Sequence, residues 1–88
     1  MINSVILTVK IERTSIEYDM ELPANVPGDE LCVKLLMALQ NIENVIFRSI
    51  EKINLRINRS GKLLGGDQTL EEAEVWDGGI VTVVKEGW

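Results

Sequence analysis

The chain has 88 residues, a length that fits a single domain, residues 1–88, with one modest hydrophobic core. Its formal net charge of −5 disfavours nucleic acid and an anionic membrane surface as partners, because both are negatively charged. It has no histidine and a single cysteine, Cys32, so the commonest general base, an internal disulfide and a cysteine-based metal cage are all excluded. We therefore expect no catalytic residue, no cofactor and no metal site.

Two features of the sequence bear on its compartment. The longest purely apolar run, residues 35–39, is too short to span a bilayer. Residues 1–10 have no basic stretch before their apolar run and so do not resemble a secretory signal. Together with the lone cysteine, these features predict a soluble, cytoplasmic protein that does not insert into the membrane.

The first half of the chain predicts a β-hairpin followed by a helix. Apolar and polar residues alternate over residues 5–11 and 16–22, which is typical of half-buried strands. Asp29 follows a stretch rich in proline and glycine and is expected to cap a helix over residues 31–40. One face of that helix carries an apolar stripe made of Leu31, Cys32, Leu35, Leu36 and Leu39.

The second half predicts three shorter strands. Residues 42–50 fit either a helical segment or a short buried strand, and we favour the helix. Alternation predicts strands at residues 53–57 and 80–85, with a short strand at 62–64 between them. The Thr-Leu-Glu-Glu of residues 69–72 has the spacing of a capping box and predicts a single helical turn.

The helix must cover one face of the sheet, because its apolar stripe has no other surface to bury against. This order of elements resembles the ubiquitin-like β-grasp family. The residues that align without a gap with the C-terminal half of ubiquitin are Gly61-Lys62, Leu64, Thr69-Leu70, Val75 and Val81-Thr82-Val83-Val84. The resemblance implies an α+β fold in which a mixed sheet of four to five strands packs on one main helix.

The short, acidic chain is also similar to the YukD-like family, whose members are cytoplasmic accessories of type VII (ESX-like) secretion. This similarity implies a non-conjugated, non-catalytic adaptor that docks on a membrane component of the secretion apparatus. The positions that match ubiquitin's recognition patch are Asn58, Thr82 and Val84, with Asn58 in place of the central apolar residue. We predict docking through the open sheet face, with Arg56 beside these residues and Lys10 and Glu17 nearby.

Two other functions are weighed against the adaptor. A sulfur carrier or conjugated modifier needs a terminal Gly-Gly, whereas this sequence closes on residues 85–88, Lys-Glu-Gly-Trp, and this disfavours both. A small β-grasp subunit of a multicomponent enzyme such as an oxygenase would contribute no catalytic residue. It would be favoured by a neighbouring gene for a di-iron hydroxylase.

Charged residues give two further hypotheses about the surface. Glu17, Asp19 and Glu21 alternate along one strand side, so successive carboxylates lie about 7 Å apart, too far for one chelate. A divalent-cation site is therefore disfavoured, and a solvated strand face is the favoured interpretation. A third interpretation is an acidic docking surface for a basic partner. If the third strand lies near the far edge, Arg56, Arg59 and Lys62 would make that end of the open face basic, and this dipolar face could orient a partner. Ordinary mixed surface charge without a binding role is the favoured interpretation of these three residues.

Apolar residues outside the expected core give the remaining alternatives. Cys32 is interpreted as a small buried hydrophobe rather than a nucleophile, since no histidine could activate it. Val33 and Met37 could form a docking patch, or could pack under residues 42–50. An edge strand or this pair could support a homodimer. Trp76 is expected to cover the edge of the core, and Trp88 to be mobile at the terminus.

Overall fold

The computed structural model describes residues 3–86, so the predictions made for Trp88 and for the chain end lie outside the described residues. The described part has five strands and two helices. Their bounds are β1 Ser4–Ile11, β2 Glu17–Pro23, α1 Gly28–Ile42, α2 Asn44–Phe47, β3 Ile53–Ile57, β4 Lys62–Leu63 and β5 Ile80–Lys85.

The strands form one mixed sheet in the order β2-β1-β5-β3-β4. The neighbouring strands β1 and β5 run parallel, and the other pairs are antiparallel. The predicted hairpin is β1–β2, and β2 lies at the edge of the sheet as expected. With α1 packed on one face, this is the predicted α+β, β-grasp architecture.

Alternation along the strands places one side of each in the core. Val5, Leu7, Val9 and Ile11 of β1 are all at most 2% exposed, whereas the residues between them are partly or fully accessible. The stripe on α1 packs against this face through Leu31, Leu35, Leu36 and Leu39. Full burial of such a side chain contributes roughly 1.5–3 kcal/mol, so this layer is the main source of stability.

Residues 42–50 contain the short helix α2, so the favoured interpretation is confirmed and the alternative of a buried strand is wrong. Phe47 of α2 is fully buried, and the Nζ atom of Lys85 lies 5.8 Å from the centre of its ring. The predicted helical turn at residues 69–72 also has its capping box. The Thr69 N–H donates to Glu72 Oε1 at 2.9 Å, and the Glu72 N–H donates to Thr69 Oγ1 at 3.0 Å.

The N-terminus of α1 differs from the prediction. The helix begins at Gly28, and Asp29 lies in its first turn instead of capping it. The main-chain N–H groups of Gly28 and Asp29 donate to the carbonyl oxygens of Gln68 and Gly66, at 2.8 and 2.9 Å. The loop after β4 therefore satisfies the free donors of the helix. Since these acceptors lie almost 40 residues away along the chain, no local capping pattern could have predicted them.

Candidate functional site

The sheet face opposite α1 is open, and one row of side chains crosses it from edge to edge. The strand registers place these residues side by side on the outward-facing side, one from each strand. We call this set the central row; its members are Glu17, Lys10, Thr82, Arg56 and Leu63. Four of the five belong to the predicted docking face.

The cations of this face each lie beside a carboxylate. Lys10 Nζ is 3.9 Å from Glu17 Oε2, across the β1–β2 pair. Arg56 Nη1 is 3.6 Å from Glu12 Oε1, and the other oxygen of Glu12 is buried without a hydrogen-bond partner among the described residues. These pairs orient the long side chains across the face, although exposed pairs contribute little to stability.

The two remaining predicted residues, Asn58 and Val84, lie on the same face. Thr82 Oγ1 donates to Asn58 Oδ1 at 2.6 Å. Thr82 is only 5% exposed, so it adds little accessible area to this face. Its hydroxyl orients the Asn58 side chain instead. The register places Arg56 opposite Thr82 and Asn54 opposite the half-buried Val84. The structure thus brings all six predicted residues together, and their role in docking stays a prediction.

The expected basic end of this face is smaller than predicted. Lys62 is paired in the register with the core-facing Ile57 and so lies on the other side of β4 from Arg56. Arg59 donates from its guanidinium to the main-chain oxygen of Glu74, in the loop before β5, at 2.9 Å. Because the pleat of β4 reverses the side of its successive residues, the register places Arg56 but not Lys62 on the open face.

The acidic end is well defined. The Ser4 hydroxyl donates to Glu21 Oε2 at 2.6 Å, and the Thr8 hydroxyl donates to Asp19 Oδ1 at 3.0 Å. With the Lys10 pair, each β2 carboxylate has a partner on β1. In the part of the chain that the structure describes, no cluster of three or more His, Cys, Asp or Glu side chains could hold a metal ion.

Sequence reasoning missed an apolar corner of the open face, formed by Ile6, Ile80 and the adjoining Trp76, which are 55%, 41% and 44% exposed. Asp77 Oδ1 accepts the main-chain N–H of Ile6 at 2.8 Å and holds the loop against β1. Trp76 also lies beside Val75 and Ile57 at the core edge, the place expected for it. The signal available in the sequence was an isoleucine at an outward-facing position of β1.

The remaining candidates lie on α1. Cys32 is partly buried, and burial together with the charge of Asp29 raises the pKa of its thiol, which therefore stays protonated near neutral pH. Val33 and Met37 are 59% and 62% exposed. They do not pack under residues 42–50, so that alternative is wrong.

No described helix has the length and hydropathy needed to cross a membrane. A comparison with curated proteins found no significant match. The solved structures that resemble this one include the ubiquitin-like domain of the type VII secretion protein ECCD1 of Mycobacterium tuberculosis. It is 22% identical, with a TM-score of 0.74, and the match covers 96% of this chain and 100% of that one.

Two further structures share the fold at low sequence identity. A chain of the MycP5-free ESX-5 inner membrane complex is 20% identical with a TM-score of 0.75, over 94% of this chain but only 21% of that one. A chain of the toluene 4 monooxygenase HD complex is 18% identical with a TM-score of 0.68, over 94% of this chain and 99% of that one.

The family profile described as "WXG100 protein secretion system (Wss), protein YukD" matches residues 5–83, which include all seven described helices and strands except the ends of β1 and β5. The chain therefore belongs to the YukD family, as a ubiquitin-like domain of type VII secretion.

Proposed function

We propose that this protein is a cytoplasmic, non-catalytic adaptor that docks on a protein of a type VII secretion system through its open sheet face. The observation that carries the proposal is the central row, in which every strand contributes one outward-facing side chain to a surface that α1 leaves uncovered. Membership of the YukD family supports the secretion context.

The open face has the composition of a docking surface. Ile6 and Ile80 supply exposed apolar area, and the carboxylates of β2 border it on one side. Protein interfaces commonly combine an apolar centre with a polar, charged rim. A partner with an apolar side chain surrounded by arginine or lysine would be complementary to this arrangement.

A membrane component of the secretion apparatus is the partner we propose. A similar domain forms about one fifth of a chain in the ESX-5 inner membrane complex, and this supports such an association. A non-catalytic role is supported by the lack of histidine and by the raised pKa of the Cys32 thiol, which leaves no activated nucleophile among the described residues.

Charge swaps that conserve each ion pair test this face. The variant exchanges Lys10 with Glu17 and Glu12 with Arg56, so the net charge and both pairs are kept while the charge pattern of the face is reversed. Crosslinking pull-down from solubilised native membranes should recover roughly tenfold less of the secretion component, since like charges then meet across the interface.

The matched control exchanges Glu30 with Lys34, an exposed ion pair of 3.9 Å on α1. This swap should leave recovery unchanged. Equal recovery of the secretion component by the unmodified protein, the open-face variant and the α1 control, at equal thermal stability, would show that the open face is not the docking surface.

The oxygenase-subunit alternative has the support of the fold alone, because the toluene monooxygenase chain is only 18% identical. The two functions differ in genomic context. A neighbouring gene for a secretion ATPase supports the adaptor, and a neighbouring gene for a di-iron hydroxylase supports the enzyme subunit.

A further inference from the structure

A second candidate surface lies on the flank of the molecule away from β2. A groove of about 370 Å³ runs between α1 and the beginning of β3. Its floor is formed by the core-facing or partly buried side chains Cys32, Leu36, Ile53 and Leu64. Its volume lies within the range of small ligand-binding clefts. Except for Asn54 at its edge, the groove shares no residue with the open face.

The groove exists because β4 stops after two residues. It pairs only with Arg56 and Ile57 of β3. The Leu64 N–H still donates to the Leu55 carbonyl at 2.8 Å, but residues 65–68 then turn away to meet the N-terminus of α1. The first part of β3 is left as a sheet edge that no strand among the described residues covers.

The main chain of this edge is directed into the groove. The carbonyls of Leu55 and Ile57 accept N–H donors from the β4 side, whereas Lys52 accepts the N–H of Glu86 on the β5 side. Main-chain groups alternate in direction along a strand. Ile53, two residues before Leu55, therefore turns its N–H and carbonyl towards the groove, where they can pair with an added strand.

The rim of the groove carries excess negative charge. Asp29 and Glu51 both line it, and within residues 3–86 neither carboxylate has an ion pair within 4.0 Å. Lys52 also lines the groove, and its Nζ atom lies 3.8 Å from Glu86 Oε2. The Asp29 carboxylate lies close against the main chain of the loop after β4, since a Cβ atom at Gly66 would be only 2.7 Å from its Oδ2. Two carboxylates that lack an ion pair within the described residues favour a cationic ligand.

The outer wall of the groove is apolar and accessible. Val33 lines it with 59% of its surface exposed, and Met37 follows one turn later on the same helix with 62% exposed. A flexible methionine adapts readily to a partner's shape. An occupant can therefore contact apolar surface on the floor and on the wall.

We propose that this groove binds an extended, basic and apolar segment of a protein partner by strand addition along residues 51–54. The main chain of the segment pairs with Ile53, an apolar side chain packs on Cys32 and Leu36, and a lysine or arginine approaches Asp29 and Glu51. This second docking site goes beyond the adaptor surface proposed for the open face and does not depend on it.

Titration of the full ¹⁵N-labelled chain with a synthetic peptide tests the proposal. The probe is an eight-residue, end-blocked peptide of alternating valine and lysine. We expect saturable shifts of the amide signals of residues 51–54 and of Cys32 and Leu36. An alternating valine–glutamate peptide, and the valine–lysine peptide N-methylated at every amide, should each bind at least about tenfold more weakly.

Single-charge variants locate the basic side chain. Asp29→Asn and Glu51→Gln should each weaken binding by roughly two- to fivefold, the range of one exposed ion pair. Asp19→Asn on β2 is the matched control and should leave affinity unchanged. The charge-swapped open-face variant should also bind the peptide normally, so failure of the adaptor proposal and failure of this one are distinguishable.

Three results would overturn the proposal. The first is an absence of saturable shifts, or shifts confined to β2 and the open face. The second is equal binding of the lysine and glutamate peptides, which would exclude recognition of charge by the rim. The third is a dilution-dependent shift of residues 51–54 without peptide, which would make a second copy of this chain the occupant.

Discussion

The hydroxyl of Tyr18 donates a hydrogen bond to the carboxylate of Glu43 and so joins the edge strand β2 to the junction between α1 and α2. This hydrogen bond raises the pKa of the phenol, with smaller contributions from burial and from the charge of Glu43. A bond between these two groups fixes the position of β2, which has a strand neighbour on one side only.

We predict that Tyr18 ionises above its ordinary pKa and that Glu43→Gln lowers this pKa towards the ordinary value. Because the folded-state pKa is raised, the stabilising contribution is complete below the unfolded pKa and is lost as the pH rises through the folded one. Tyr18 is the only tyrosine, so ultraviolet difference absorbance follows it alone. An identical titration curve for the Glu43→Gln protein would show that the bond does not form in solution.

At the level of the element, the N-terminus of α1 depends on close contact with the loop after β4. A Cβ atom on Gly28 would lie 2.2 Å from the main-chain oxygen of Gly65, which leaves no room for any side chain. This approach lets the main-chain oxygens of the loop accept the first N–H groups of the helix.

We expect Gly28→Ala to lower the free energy of unfolding by about 1–3 kcal/mol, because the backbone must shift to admit the methyl group. Gly65→Ala is the matched control. A Cβ there meets nothing closer than 3.4 Å, so a much smaller loss is expected. Urea denaturation measures both, and equal losses would contradict the described contact.

The short helix α2 contributes to the core through one side chain. Phe47 is completely buried, whereas Val45 on the same helix is 78% exposed. We predict that Phe47→Ala lowers the free energy of unfolding by about 3–5 kcal/mol, whereas Val45→Ala changes it by no more than about 0.5 kcal/mol. Calorimetric unfolding compares them, and a small loss for Phe47→Ala would mean that α2 is not docked.

Elements that depend on a local sequence pattern were predicted correctly, whereas features that depend on contacts distant in the sequence were not. The closing strand at residues 80–85 matches β5 residue for residue, because its alternation is a local pattern. The capping role assigned to Asp29 was wrong because the acceptors come from a distant loop. Lys62 was assigned to the wrong side of the sheet because register is decided by strand pairing, which one sequence does not show.

At the level of the whole molecule, the fold separates two surfaces. The open face follows from the outward-facing residues of predicted strands, and its six predicted members do lie together. The groove beside β3 was not predictable, since it depends on where β4 leaves the sheet. An adaptor with two such surfaces could hold a structured partner on one and an extended segment on the other.

The charges of the groove predict that its binding of a basic peptide depends on salt. Both surfaces present carboxylates. Among residues 3–86, the groove carries two without an ion pair, whereas those of β2 each have a partner on β1. Raising the ionic strength from about 0.05 to 0.5 M should therefore weaken the valine–lysine peptide severalfold by screening. Calorimetric titration measures this change, and a salt-independent affinity would contradict an electrostatic contribution from the rim.

Photocrosslinking in native cells tests the central claim, docking through the open face, most directly. p-Benzoylphenylalanine replaces Lys10 in the central row in one protein and Val45 on α2, on the opposite side of the sheet, in the other. Mass spectrometry identifies the adducts. We predict that position 10 crosslinks to a membrane component of the type VII secretion apparatus and that position 45 does not. Adducts with that component from position 45 alone, or none with it from position 10, would contradict the account.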